Sequence, residues 1–251
     1  MDQNNEARPP LTTYEDLAKM IDHSLLRPEL TEEQMAEGCE VAKRYQVATV
    51  TVRPCDVDMA VRIMEGSGVP VGSVSGFPHG CTTTAAKLYE TRDLLGRGAK
   101  EIDTVINISK LLSRQFQHIE TELLQMADSC HQKGAILKVI FENAYLTDEL
   151  KMMACKICRR AGADYIKTST GFAPTGYTLE DLRLMRKYAG PMKIKAAGGV
   201  RTLDKAIEVY EAGCSRFGAT ATVAILEDWK SRLKQMAEAK AVARETSGIT
   251  A

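Results

Sequence analysis

An excess of charge of either sign is missing from this chain. Its 33 Lys and Arg residues balance 33 Asp and Glu, for a formal net charge of zero. No basic footprint therefore argues for nucleic acid, and none for an anionic membrane surface. Long hydrophobic runs are missing too, all falling far short of the ~20 residues that span a bilayer. The opening, MDQNNEARPPLTTYEDL, is polar and acidic and has no apolar core of a secretory signal.

Paired cysteines are also lacking. The seven present (Cys39, Cys55, Cys81, Cys130, Cys155, Cys158 and Cys214) are odd in number and scattered, which speaks against a disulfide framework and for reduced thiols in a cytoplasmic protein. Cys155 and Cys158 form a CxxC, but within the helical pattern DELKMMACKICRRAG and without a second pair. Two helix residues packed against a sheet explain them better than a metal or redox site. No GxGxxG follows the first candidate strand, which weakens the case for an open, doubly wound sheet.

What is present is a regular alternation. The chain has 251 residues, 44% hydrophobic and 26% charged, the size of one large domain. Short β-branched runs occur at 47–52, 69–77, 101–108, 135–141, 163–169, 192–198 and 214–220, and MIDHSLLRP (20–28) begins the series. Between them lie stretches of helical period such as TEEQMAEGCEVAKRY and TLDKAIEVYEAG. TEEQ (31–34) has the form of a capping box. Eight βα units without a break in composition predict an α/β protein over 1–251, a single TIM (β/α)8 barrel with a short N-terminal lead helix. Segments 1–11 and 241–251 read as flexible tails.

Lys167 poses the central question. It lies near the end of the apolar, β-prone stretch ADYIKTS, where an ammonium loses its water and rarely gains full compensation. In a parallel barrel the carboxyl ends of strands face the active site. Those ends supply Asp22, Thr51, Asp103, Asn107, Lys138, Lys167 and Lys195. A lone strand-end lysine usually snorkels to the surface and a lone aspartate usually caps or pairs. Three lysines and two aspartates converging on one barrel mouth are harder to explain that way.

Lys167 and Lys195 fall on consecutive strands. A free lysine of pKa ~10.4 is only about 0.04% neutral at pH 7. A second ammonium close by, together with burial, disfavours its charged form, leaving an amine able to attack a carbonyl and form a Schiff base. Asp103 balances the remaining charge and passes protons. Glycines follow the last strands, in AAGGVRT (196–202) and GATAT (218–222), and Gly171 lies in STGF. Loops after strands 7 and 8, opening helices, are the recurring phosphate site of these barrels.

The segments IDHSLL, GFPHG, EIDTVINI, LKVIFE, GADYIKTSTGF, KAAGGVRT and RFGAT resemble, in order and spacing, those of the deoxyribose-phosphate aldolase family of class I aldolases, from about Ile21 to Leu226. The resemblance implies reversible cleavage of 2-deoxy-D-ribose 5-phosphate to D-glyceraldehyde 3-phosphate and acetaldehyde, with no metal or cofactor. It implies Lys167 as the Schiff-base lysine, Lys195 as the lysine that depresses its pKa, and Asp103 in the proton relay. Asp22, Thr51, Lys138 and Thr168 would surround the substrate, and Gly171, Gly198, Gly199, Gly218 and Thr220 would hold the phosphate. By analogy it implies a homodimer. The chain departs from the family pattern in three places: Thr220-Ala221 stands for a serine pair, Thr51 and Arg53 for a cysteine and an asparagine, and the tail has no terminal tyrosine. These changes bear on phosphate affinity and substrate preference. An aldolase of the same fold with another small aldehyde or sugar-phosphate substrate stays open, as does a silent sugar-phosphate-binding barrel.

Overall fold

In the computed structural model, residues 8–247 are described, with side chains to residue 241. Eight strands run in chain order: β1 (Ile21–Leu25), β2 (Thr49–Val52), β3 (Val71–Ser75), β4 (Glu101–Val105), β5 (Ile136–Ile140), β6 (Tyr165–Lys167), β7 (Lys193–Ala196) and β8 (Arg216–Ala219). Each pairs in parallel with the next, and β8 closes on β1. The closed ring is the predicted barrel, and it excludes the open sheet.

The described helices are α1 (Tyr14–Ala18), which leads into the barrel, α2 (Glu32–Tyr45), α3 (Val57–Met64), α4 (Thr84–Gly96), α5 (Ile108–Leu112), α6 (Phe116–His131), α7 (Asp148–Arg160), α8 (Leu179–Ala189), α9 (Leu203–Glu211) and α10 (Thr222–Ser247). Threonine begins many of them. Thr13 and Thr31 close capping boxes with Asp16 and Gln34, while Thr83, Thr147, Thr178 and Thr202 each accept a backbone N–H of the first turn. Such caps stabilise a helix start by about 1 kcal/mol each.

Strand alternation divides the molecule into two interiors. Outward-facing Ile102, Leu137, Val139, Ile166, Ile194 and Phe217 are fully buried against Leu123, Met126, Ile157, Met185 and Val209 of the helices. Each such side chain contributes about 1.5–3 kcal/mol, so this layer carries the stability. The inward face, which branched aliphatic residues usually fill, is here largely ionic. Cys155 and Cys158 are buried on α7 within the aliphatic layer, and burial pushes the Cys155 thiol up to about 12.

The two ends expected to be tails are described in part. Arg8 donates to the carbonyls of Tyr210 and Cys214 at 2.9 and 2.6 Å, Pro9 accepts from the Tyr210 hydroxyl, and Leu11 packs on the core. Residues 241–247 continue α10. Residues 1–7 and 248–251 lie outside the described residues.

Candidate active site

Register places the charged side chains. Lys138 stands opposite Asp103, Ile140 opposite Lys167, Lys167 opposite Lys195, and Lys195 opposite Arg216. Inside the ring they join one network. Asp103 Oδ2 accepts from Lys167 Nζ and from Lys195 Nζ, both at 2.8 Å. Lys195 also meets Asp22 Oδ2 at 2.5 Å. Lys138 lies beneath, 2.8 Å from Asp22, 2.5 Å from Glu101 and 3.1 Å from Asp103. Arg216 closes the floor against Asp22 at 2.6 Å and Glu101 at 3.3 Å. Every member but Arg216 is at most 3% exposed.

Three carboxylates thus face four cations. Full ionisation leaves one positive charge in excess in a site shielded from water, and Lys167 is where that excess is relieved. Burial lowers its pKa most, Asp103 opposes the shift, Lys195 adds to it, and the amine settles at about 8. Lys138 behaves oppositely: burial alone would lower it, but Asp103, Asp22 and Glu101 outweigh burial and hold it well above the ordinary lysine range. For Asp103, burial pushes the pKa up, yet Lys138, Lys167 and Lys195 together hold it well below that of a free carboxyl. Asp22 is held low against burial by Lys138, Lys195 and Arg216. At pH 7 a lysine of pKa about 8 is about a tenth neutral, roughly 200 times more than an unperturbed one.

Lys167 and Lys195 open upward into a cleft of about 150 Å³, also lined by Thr51, Gly171, Gly198, Gly199, Gly218 and Thr220. Gly171, Gly198 and Gly199 take φ of +91°, +80° and +121°, conformations that a side chain would strain. The loops carrying them touch: a Cβ on Gly176 would fall 1.6 Å from the Gly198 carbonyl oxygen. Thr51 Oγ1, at the cleft wall, is buried with no hydrogen-bond partner among the described residues. A second hollow of about 420 Å³ adjoins across Thr170 and Phe172.

A model of the DeoC/LacD aldolase family matches residues 17–231. This chain belongs to that family. Two relatives are deoxyribose-phosphate aldolases: one from Bacteroides thetaiotaomicron is 44% identical over 88% of this chain and 94% of that protein, and one from Caldanaerobacter subterraneus is 44% identical over 86% and 95%. The solved deoxyribose-phosphate aldolase of Aeropyrum pernix superposes with a TM-score of 0.82, at 32% identity, covering 88% of this chain and 94% of that one. The ionic barrel interior is thus that of an aldolase.

Not every expected residue reaches the aldolase cleft. Thr168 is fully buried, and its hydroxyl bonds the Ala197 carbonyl at 3.3 Å and the Ala197 N–H at 3.1 Å. It joins β6 to β7 instead of lining the cleft. Asn107 lies past the end of β4 and caps α5, its Oδ1 accepting from Lys110 N–H at 3.3 Å, so it does not continue the Asp103 face. Asp22 and Lys138 sit in the floor below the cleft. Sequence reasoning missed Glu101 and Arg216. Period two from Asp103 and from Gly218 finds both, had the strand starts been read along with the strand ends. It also missed Glu142, whose left-handed backbone (φ 55°) aims a buried carboxylate at the N–H and hydroxyl of Thr170.

Proposed function

We propose that this chain is a class I deoxyribose-phosphate aldolase. The observation that carries the proposal is the single carboxylate oxygen, Asp103 Oδ2, shared at 2.8 Å by Lys167 and Lys195 at the floor of the glycine-lined cleft. The neutral Lys167 amine adds to C1 of the open-chain sugar, and the carbinolamine loses water to give a protonated imine. A base set of Asp103 and water takes the C3 hydroxyl proton, the C2–C3 bond breaks, and the iminium accepts the electron pair as an enamine. Glyceraldehyde 3-phosphate leaves. Protonation of C2 and hydrolysis of the imine then release acetaldehyde and restore the amine. The iminium is the electron sink, so the reaction calls for no metal.

Asp103 keeps Lys167 positioned, while burial and Lys195 suppress its charge. Thr51, with its unpartnered hydroxyl, offers a hydrogen bond to the sugar or to a water. The backbone N–H groups of the Gly171, Gly198–Gly199 and Gly218–Thr220 turns, the last two ahead of α9 and α10, offer the phosphate cradle. The same proposal treats the chain as one barrel domain, cytoplasmic and homodimeric. Size-exclusion chromatography with light scattering tests the dimer.

The Thr220-Ala221 pair supports a second reading, an aldolase of the same chemistry with another sugar phosphate or small aldehyde. Coupled assays of acetaldehyde release from 2-deoxyribose 5-phosphate and from unphosphorylated 2-deoxyribose separate the two. A preference of at least about a hundredfold for the phosphorylated sugar is expected, on the order of two good charge-assisted contacts. Near-equal efficiencies would overturn the phosphate assignment.

A further inference from the structure

The deep network cannot neutralise a phosphate. It carries at most one excess positive charge, from four cations against three carboxylates, while a phosphate monoester near pH 7 carries ~1.5 to 2 negative charges. Apart from Lys167 and Lys195, the cations lining the cleft are Arg27 and Arg201. Arg201 belongs to the glycine loop after β7. Arg27 follows β1, the strand that pairs with β8.

We propose that Arg27 is a specificity-determining residue that grips the substrate phosphate from the β1 side of the cleft, exchanging Glu29 for it. Arg27 Nε is 2.7 Å from Glu29 Oε1, but both side chains are more than half exposed. An ion pair in such a setting contributes little, so the guanidinium is held near the cleft without being committed there. A dianionic phosphate in the half-enclosed cleft offers it the bidentate geometry that one carboxylate oxygen does not.

The backbone beneath Arg27 is fixed by a second arginine. Arg53 donates through Nη1 to the carbonyls of Arg27 at 3.3 Å and Pro28 at 3.0 Å, and through Nε to Asp56 at 2.5 Å. Arg53 and Asp56 are both largely buried, so this clamp is a built feature of the β1–α2 and β2–α3 loops. Arg53 is therefore a positioning residue that acts through Arg27. The pair offers a compensation for the single hydroxyl left in Thr220-Ala221, since a guanidinium supplies two donors where a hydroxyl supplies one.

The inference rests on the aldolase reading, and its test keeps the two apart. The readout is the ratio of kcat/KM for 2-deoxyribose 5-phosphate to that for 2-deoxyribose. In Arg27→Gln this ratio falls at least about tenfold, as loss of one charge-assisted contact requires. Arg27→Lys, keeping the charge without the fork, restores part of it. Arg53→Ala lowers the ratio, and the double variant Arg27→Gln/Arg53→Ala is no worse than Arg27→Gln alone. A ratio unchanged within twofold in Arg27→Gln, or a double variant in which the losses multiply, overturns the inference. If wild-type protein forms no borohydride-reducible adduct with the sugar phosphate, the aldolase reading fails. If it forms one and Arg27→Gln leaves the ratio intact, only the role of Arg27 fails.

Discussion

Replacing Lys195 with methionine should raise the pKa of Lys167 rather than abolish its chemistry. Both ammonium nitrogens lie 2.8 Å from Asp103 Oδ2, so they stand no more than twice that apart, within about 5.6 Å. At an effective dielectric of about 20, two unit charges at that separation repel by about 3 kcal/mol, or roughly 2 pKa units. Removing Lys195 lifts this repulsion and leaves Asp22 and Asp103 with one cation fewer, and both changes favour the charged form of Lys167. From about 8, its pKa rises to about 10 or above. The neutral fraction at pH 7 then falls about a hundredfold, and nearly all of that loss is recovered by about pH 10.5. The assay is the initial rate of imine trapping by cyanoborohydride from pH 6 to 10.5, with circular dichroism to check folding at each pH. An apparent pKa still near 8, or a loss equally deep at every pH, would refute the electrostatic role assigned to Lys195.

Other outcomes follow from the same geometry. In the wild type, the imine-forming rate climbs about tenfold per pH unit below 8 and flattens above it, because only the neutral amine reacts and Asp103 and Asp22 stay ionised throughout; a flat profile from pH 6 to 9 contradicts this. Asp103→Asn keeps imine trapping at Lys167 but lowers kcat by about 10²–10⁴, the range for a lost acid–base group, as read by trapping and turnover together. Gly176→Ala forces the loop after β6 away from the Gly198 carbonyl, so KM for the phosphorylated sugar rises more than kcat falls. Lys87→Met leaves Glu122, its 2.8 Å fully buried partner, uncompensated and lowers unfolding free energy by about 3–5 kcal/mol, measured by urea denaturation at sites remote from the cleft.

The stability side of Lys167 carries the opposite sign to that of the carboxylates. Its folded pKa of about 8 lies below the ordinary 10.5, so the unfolded chain binds the extra proton between those values. The group therefore detracts from stability below pH 8, by on the order of 3 kcal/mol, and this deficit disappears as pH rises toward 10.5. Asp103, held low, instead adds stability that is fully present above the pKa of an unfolded carboxyl, about 3.9, and is lost as pH falls from there through its depressed value.

Much of this was legible in the chain. The barrel could be read because each βα unit repeats a β-branched run, a threonine cap and an amphipathic helix, and local signals of that kind survive without tertiary information. Lys167, Lys195 and Asp103 stood out because charged residues in apolar strands are costly. Glu101 and Arg216 did not, because their importance comes from a closed ring that brings strands 4, 5, 8 and 1 within one ion pair of each other. The resemblance puts Thr168 beside the substrate, yet alternation turns it away to Ala197. Arg53 read only as a departure from the family pattern, and its clamp on the Arg27 and Pro28 carbonyls depends on loop geometry that no local pattern encodes.

The most direct test of the central claim is to reduce the protein with borohydride in the presence of 2-deoxyribose 5-phosphate and locate the adduct by peptide mass spectrometry. A single modification on Lys167, absent without substrate, is the expected result. An adduct on Lys195, Lys138 or any other lysine, with Lys167 unmodified, would contradict the account.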